Sequence, residues 1–310
     1  MRNSPMDNTS TLVFTLSGLN GTEKYRIPLF VVTFLCYSLI WVANVTIIVT
    51  IIMDKNFHEP MYICLCNLCV NGLFGTAGFF PKFLSDLLSS AHVISYAGCL
   101  LQGFVVHASL TADLSILLLM AFDRYVAICR PLMYHSVMTR QRLSVMIFFS
   151  WFIPLQLNAL GPIATSTIRL CGSHIPKLYC INFLVNRLAC TPFIADIIIP
   201  SFNYTFYLGH FVVVFLSYIN IIKTCLKSRE GWDKFMKTCL PHIICLIIFT
   251  VSITFDLMYV RFGSNLAEGV KNFLAIECLI IPPLFNPVIY GLKLTKIRNR
   301  LLQTVRLNPK

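Results

Sequence analysis

Seven stretches of this chain, at residues of about 27–53, 61–86, 96–122, 143–163, 197–222, 238–260 and 272–292, are mostly apolar. Each is about 20 residues or more, the length a helix needs to cross the hydrocarbon of a bilayer. In lipid, only helices and closed barrels satisfy every backbone polar group. Barrel strands read as roughly 10-residue alternating segments, whereas these runs are longer and apolar all round. The sequence therefore predicts an all-α membrane protein built as a seven-transmembrane helix bundle. The chain is 56% hydrophobic and 12% charged, with mean hydropathy +0.73. A soluble domain carries roughly a quarter charged residues, so a cytosolic enzyme, a disordered chain and a secreted disulfide miniprotein are excluded. No internal repeat is visible, and the gaps between runs are loop-sized.

Charge sets the orientation. The formal net charge is +12, but the basic residues lie in short gaps rather than one patch, which argues against nucleic acid as a partner and for the lipid bilayer. With the N-terminus outside, the inner segments hold 16 of the 25 Lys and Arg residues, as the positive-inside rule requires. Asn8 and Asn20 begin Asn-X-Thr/Ser sequons in the N-terminal segment, where glycosylation needs the lumenal or outer side. A third match, at Asn44, falls inside the first apolar run, where no glycan fits. Residues 1–26 lack the apolar core of a cleavable signal, so the first run is expected to act as an uncleaved signal anchor.

At the inner end of the third run stands Met120-Ala121-Phe122-Asp123-Arg124-Tyr125-Val126-Ala127-Ile128-Cys129-Arg130-Pro131-Leu132-Met133-Tyr134. Alone, Asp123-Arg124 also reads as an ordinary interfacial ion pair. Other strings accompany it in order: Pro60-Met61-Tyr62, Ser217-Tyr218, Lys237-Thr238-Cys239 and Pro283-Leu284-Phe285-Asn286-Pro287-Val288-Ile289-Tyr290. Together these resemble the rhodopsin-like (class A) G-protein-coupled receptors, and within them the odorant receptors, over nearly the whole chain. The segment from Asn71 to Lys82 looks most like fish-type odorant receptors.

The resemblance implies a small-molecule odorant and a heterotrimeric G protein of the stimulatory or olfactory type as partners, a cAMP rise as output, and no cofactor. It implies an extracellular segment at 1–26, a receptor domain at 27–292 and a cytoplasmic tail at 293–310. Asp123, Arg124 and Tyr125 would form the switch at the third helix. An unpaired cation at the membrane centre costs ~2.5–3.5 kcal/mol or more, and Asp123 is the nearest partner for Arg124. Tyr218 and Tyr290 would bond across an opened bundle, although an interfacial aromatic belt also accounts for them. Asn286 and Pro287 would form a flex point, since proline removes one helix hydrogen bond.

The sequence departs from the family twice. Where the second helix usually has an aspartate stands Gly72, beside Asn71. Asp113 on the third helix remains, and a lone intramembrane acid is normally functional. With one acid instead of two, a sodium ion at Asp113, Asn44 and Asn286 is doubtful, and no other metal is expected. Thr250 stands where family members commonly have Tyr.

Of 13 cysteines, four fall on the outer side: Cys99, Cys171, Cys180 and Cys190. Four allow three pairings, and the resemblance selects Cys99–Cys180 and Cys171–Cys190. For the ligand pocket it selects Val106, His107, Leu110 and Thr111 on the third helix and Thr250, Ile253, Leu257 and Arg261 on the sixth. His107 can equally bond a nearby backbone or loop group. Arg261 can anchor an agonist with an anionic group or simply pair with Asp256 or Glu268. After Tyr290, Leu294, Ile297, Leu301, Leu302 and Val305 recur at helical spacing with basic residues between them, predicting a short amphipathic C-terminal helix on an anionic leaflet. A disordered basic tail is the alternative. A channel or transporter would show repeated halves or a polar stripe, and neither is visible. No nucleophile motif or acid–base cluster points to an enzyme.

Overall fold

The computed structural model describes residues 13–19, 22–192, 194–262 and 268–306. Among them, seven long helices form the body: α1 (Arg26–Met53), α2 (Pro60–Leu88), α3 (Tyr96–Cys129), α4 (Arg140–Thr165), α5 (Ala195–Cys225), α6 (Leu240–Phe262) and α7 (Glu268–Lys293). A twelve-residue helix, α8 (Thr295–Arg306), follows. Helices α1 to α5 are long and apolar enough to cross a membrane, and α6 and α7 carry shorter apolar stretches, Leu240–Phe255 and Ile276–Leu292. Helix α3 runs beyond the expected residue 122 to Cys129, so Asp123 and Arg124 belong to its last turns.

The bundle is built around α3, which is buried along most of its length and packs on α2, α4 and α5. Helices α1 and α5 turn most of their apolar side chains outward, among them Phe34, Leu35, Val42, Leu208, Phe211 and Phe215. A soluble protein rarely exposes so large an apolar surface. Here it forms the face a bilayer covers.

Helix α2 lies close against α3 because its contact face is smooth. A Cβ on Gly75 would stand 2.2 Å from Ser109 Oγ, and one on Gly78 would stand 2.6 Å from Val105 Cγ1. Helix α7 contains Pro282, Pro283 and Pro287. Pro287 has no N–H to offer the carbonyl of Pro283, one turn earlier. Asn44 of α1 fills that gap, its Nδ2 donating to Pro283 O at 2.9 Å and to Ile40 O at 2.8 Å. A weakness in one helix thus becomes a bond between two.

At one end a small sheet ties the connections together. Strand β1 (Val13–Leu16) is its centre, antiparallel to β2 (Val93–Ser95) and parallel to β3 (His174–Ile175). Phe14, Leu16, Ile94 and Ile175 form its buried side with the Cys99–Cys180 disulfide. Helix α8 marks the opposite end. Leu294 and Ile297 sink into the main core there, so the tail helix is docked to the bundle. The sequons at Asn8 and Asn20 lie outside the described residues.

Candidate functional site

The sheet end holds a cavity of about 510 Å³, walled by α3, α4, α5 and the loop between α4 and α5, with Ile253 reaching in from α6. Its roof is fixed covalently. Cys99 at the start of α3 bonds Cys180, and Cys171 bonds Cys190 within the same loop. Cys180 N also donates to Gln102 Oε1 at 2.9 Å, and Gln102 Nε2 reaches Gly78 O at 3.2 Å. A short helix, Asn182–Asn186, then crosses the mouth. Asn182 fits between two glycines, and a Cβ on Gly161 would lie 2.3 Å from its Nδ2. Thr165 Oγ1 donates to Asn186 Oδ1 at 2.7 Å, pinning the helix to the end of α4.

His107, Leu110 and Ile253 line this cavity. His107 Nδ1–H donates to Gly103 O at 2.8 Å, which sets the tautomer with Nε2 as acceptor. Thr111 and Val106 are behind the wall rather than on it. Val106 is buried against Phe79, Phe80 and Tyr179. Thr111 Oγ1 donates to His107 O at 2.8 Å, accepts from Asn158 Nδ2 at 2.9 Å, and is bonded to Tyr207 Oη at 2.9 Å. That knot joins α3, α4 and α5 at the cavity floor. Thr250 Oγ1 donates to Leu246 O at 2.7 Å within its own helix. The side chains of Leu257 and Arg261, with those of Asp256 and Glu268, lie outside the described residues.

Sequence reasoning named pocket residues on α3 and α6 only, and none of those that α4, α5 and the loop between them contribute. Asn158, Asn186, Asn203 and Tyr207 all contribute there. The available signal was polar residues within otherwise apolar runs, which have to be hydrogen-bonded when buried. A second missed link is Ser252 Oγ donating to buried Glu277 Oε1 at 2.7 Å, between α6 and α7.

At mid-depth, Asp113 is buried and its Oδ1 accepts from Asn71 Nδ2 at 2.7 Å. Asn71 Nδ2 also reaches Ser109 O at 2.8 Å. Gly72 faces Asn44 and Pro283 and brings no carboxylate. Asn44 spends its two N–H groups on carbonyls, and Asn286 is buried with its Oδ1 unpartnered among the described residues.

At the α8 end, Asp123 is fully buried and Arg124 partly so. Arg124 Nε donates to Asp123 Oδ2 at 2.8 Å, and Nη2 forms an ion pair with the same oxygen. The other oxygen, Oδ1, accepts from Tyr134 Oη at 2.8 Å. Tyr134 belongs to a one-turn helix, Tyr134–Val137, in the following loop. Burial and the Asp123 charge raise its phenol pKa above the ordinary range, so Tyr134 stays a donor. Tyr218 Oη is hydrogen-bonded to His242 Nδ1. Tyr218 sits in a cluster with Tyr125, Phe235 and Cys239 near the end of α5, and its ring also packs on that of His242. Tyr290 is buried in the main core beyond Pro287.

A bundle of this kind, closed over a cavity at one end and holding a buried acid–arginine pair at the other, has the fold of rhodopsin. Squid rhodopsin superposes with a TM-score of 0.74 at 15% identity, over 92% of this chain and 86% of its own. The family model described as Olfactory receptor matches residues 33–307. Human olfactory receptor 4S2 is 32% identical over 299 residues, covering 96% of this chain and 94% of its own length. Human olfactory receptor 52D1 is 31% identical over 306 residues, covering 97% and 96%. The chain belongs to the olfactory receptor family. It is a multi-pass membrane receptor for signalling and not an enzyme.

Proposed function

We propose that the chain places its sheet end outside the cell and α8 in the cytoplasm, binds a small odorant in the cavity beneath the disulfide-tied loop, and activates a heterotrimeric G protein of the stimulatory or olfactory type, raising cAMP. The cavity itself carries the reading. Its volume of about 510 Å³ falls within the range of small-molecule sites, and its apolar walls with a few placed polar groups match their chemistry. His107, Leu110 and Ile253 act as ligand contacts, joined by Asn158 and Tyr207. Signalling then consists of differential affinity. An odorant that fits one arrangement of α3, α5 and α6 better than another shifts the population toward it.

At the far end the same helices carry Asp123, Arg124, Tyr218 and Tyr290. In this reading the ion pair holds the resting arrangement. Its release turns the guanidinium, a rigid fork of donors, toward the G protein. Pro287 is the flex point of α7. The supporting experiment is an odorant panel on transfected cells with cAMP readout. Leu110→Trp should abolish every agonist response by filling the cavity while leaving surface delivery intact. Arg124→Ala should abolish stimulated cAMP at normal surface level. An undiminished agonist response in well-expressed Leu110→Trp would remove the cavity from the account, and full cAMP signalling by Arg124→Ala would remove the coupling role.

A further inference from the structure

The floor of the cavity beneath the disulfide-tied loop has one hydrogen-bonding sense, and the count of protons fixes it. Asn158 Nδ2 donates to Pro154 O at 2.9 Å and to Thr111 Oγ1 at 2.9 Å. A carbonyl oxygen only accepts, so the Pro154 contact sets which way the amide points, and both of its N–H groups are spent. Thr111 has a single side-chain proton, which goes to another carbonyl, His107 O, at 2.8 Å. The 2.9 Å contact between Thr111 Oγ1 and Tyr207 Oη therefore takes its proton from Tyr207. His107 follows the same rule. Gly103 O accepts from Nδ1 at 2.8 Å, so Nε2 of the neutral ring carries no proton.

His107, Asn158 and Tyr207 line the cavity from three different helices, and each has given its side-chain protons to the protein. What they still hold are lone pairs. Asn203, one turn before Tyr207 on the same wall, adds a buried Oδ1 that has no partner among the described residues. Ser201 spends its proton on Ile197 O at 2.6 Å. Other donors on the wall lie away from this floor. Arg187 and Tyr204 are exposed, and the amides of Asn182 and Asn186 belong to the helix across the mouth.

We propose that the odorant is an alcohol or a phenol, held at the floor by its hydroxyl proton, with its apolar body against Leu110, Leu157 and Ile253. The assignment rests on the cavity being the odorant site. An aldehyde, ketone or ester brings only acceptors and meets lone pairs, and a carboxylate adds a negative charge to them. An ammonium brings donors, but among the described residues no carboxylate lines the cavity, and a desolvated cation needs a counter-charge. Thr111 is the positioning residue. It stands behind the wall and touches no ligand, yet its oxygen absorbs the protons of Asn158 and Tyr207 that a carbonyl compound would need.

The test is a matched series on cells expressing the full chain, with cAMP normalised to surface receptor. Straight-chain alkanols and alkylphenols are compared with the aldehydes, methyl ethers, carboxylates and amines of the same carbon skeleton. Thermal stabilisation of the purified receptor by the same probes reads binding without coupling. The hydroxyl compounds should lead, at roughly tenfold the potency of their methyl ethers, the worth of one good hydrogen bond. Thr111→Val keeps the side-chain shape and removes the oxygen, which releases the Tyr207 proton to the cavity. Aldehydes should then gain roughly tenfold on alcohols. Asn203→Leu removes an acceptor without touching the Thr111 bonds, so it should lower alcohol potency and leave aldehydes unchanged, and it keeps the test decisive if Thr111→Val reaches the surface poorly. The assignment is overturned if aldehydes, carboxylates or amines outrank the hydroxyl compounds, if every alcohol and phenol neither signals nor stabilises, or if neither variant shifts the alcohol-to-aldehyde ratio. Leu110→Trp separates this from the reading beneath it. Alcohol responses that survive that variant would fail the cavity, whereas leading aldehyde responses that it abolishes would fail the hydroxyl alone.

Discussion

Tyr134 Oη donates to Asp123 Oδ1 at 2.8 Å while Arg124 Nε holds Oδ2 at 2.8 Å, so the buried carboxylate is clamped on both oxygens. Hydrogen bonds to charged groups contribute about 1.5–3 kcal/mol. Replacing Tyr134 with Phe removes one clamp and leaves the ion pair. The resting arrangement should weaken by about 1–2 kcal/mol, which raises the active fraction roughly five- to thirtyfold where it is small. Ligand-free cAMP, normalised to surface receptor, should rise in Tyr134→Phe, and the agonist response should persist. Unchanged basal signalling at equal surface level would show that this bond does not distinguish the two states.

The two disulfides make a separable prediction. Cys99 and Cys180 join α3 to the loop over the cavity, whereas Cys171 and Cys190 close a shorter ring within that loop. Removing a native disulfide costs roughly 2–5 kcal/mol. Cys99→Ser and Cys180→Ser should each block surface delivery, and the double variant should be no worse, because partners in one bond are non-additive. Cys171→Ser should reduce delivery less. Flow cytometry of an N-terminal tag measures all four, and additive losses would mean that Cys99 and Cys180 act separately.

How far the sequence leads depends on the kind of information each feature carries. The helices are legible because crossing lipid demands about 20 apolar residues, a requirement that acts on every residue of the run. Asp123 and Arg124 are legible because a buried charge needs its partner near by, and here the partner is adjacent in the chain. Thr111 and Tyr207 are different. Their bond spans 96 positions, and nothing in either local pattern names the other. The Asn158 contact is hidden in the same way, because an isolated amide in an apolar helix announces a partner without saying which. From the sequence Asn44 is a doubtful sodium ligand with Asp113 and Asn286. The structure assigns its amide to the carbonyl that Pro287 leaves unmet, a relation visible only when α1 and α7 are side by side.

Close packing of α2 on α3 supplies the third prediction. A Cβ on Gly75 would sit 2.2 Å from Ser109 Oγ and 2.7 Å from Ser109 Cβ. Rotating the hydroxyl relieves only the first contact, so the helices have to separate. Overpacking of this kind typically costs 1–3 kcal/mol. Gly75→Ala should lower the thermal transition of the purified receptor and reduce surface delivery. Gly75→Ala with Ser109→Gly should recover much of the loss. Failure of the second change to rescue would place the defect elsewhere than in this contact.

The last prediction concerns acid. Arg26 Nη2 donates to His92 Nε2 at 3.1 Å and Nη1 donates to Ser89 O at 3.0 Å. These bonds tie the start of α1 to the loop after α2, beside the Lys82–Asp86 ion pair. His92 Nε2 accepts only while it has a lone pair, so the folded receptor holds this imidazole neutral. Burial pushes the His92 pKa down; the Arg26 and Lys82 charges also lower it, and Asp86 opposes them. A histidine depressed in the folded state binds fewer protons there than in the unfolded chain between the two pKa values. Stability from this group is therefore complete above the unfolded value of about 6.5 and falls as the pH drops through it toward the lower folded value. The thermal transition of purified receptor should decline as the pH falls below about 6.5, and His92→Gln, which keeps a neutral acceptor, should flatten part of that decline. Superimposable pH profiles for the two proteins would show that His92 does not report acid through its contact with Arg26.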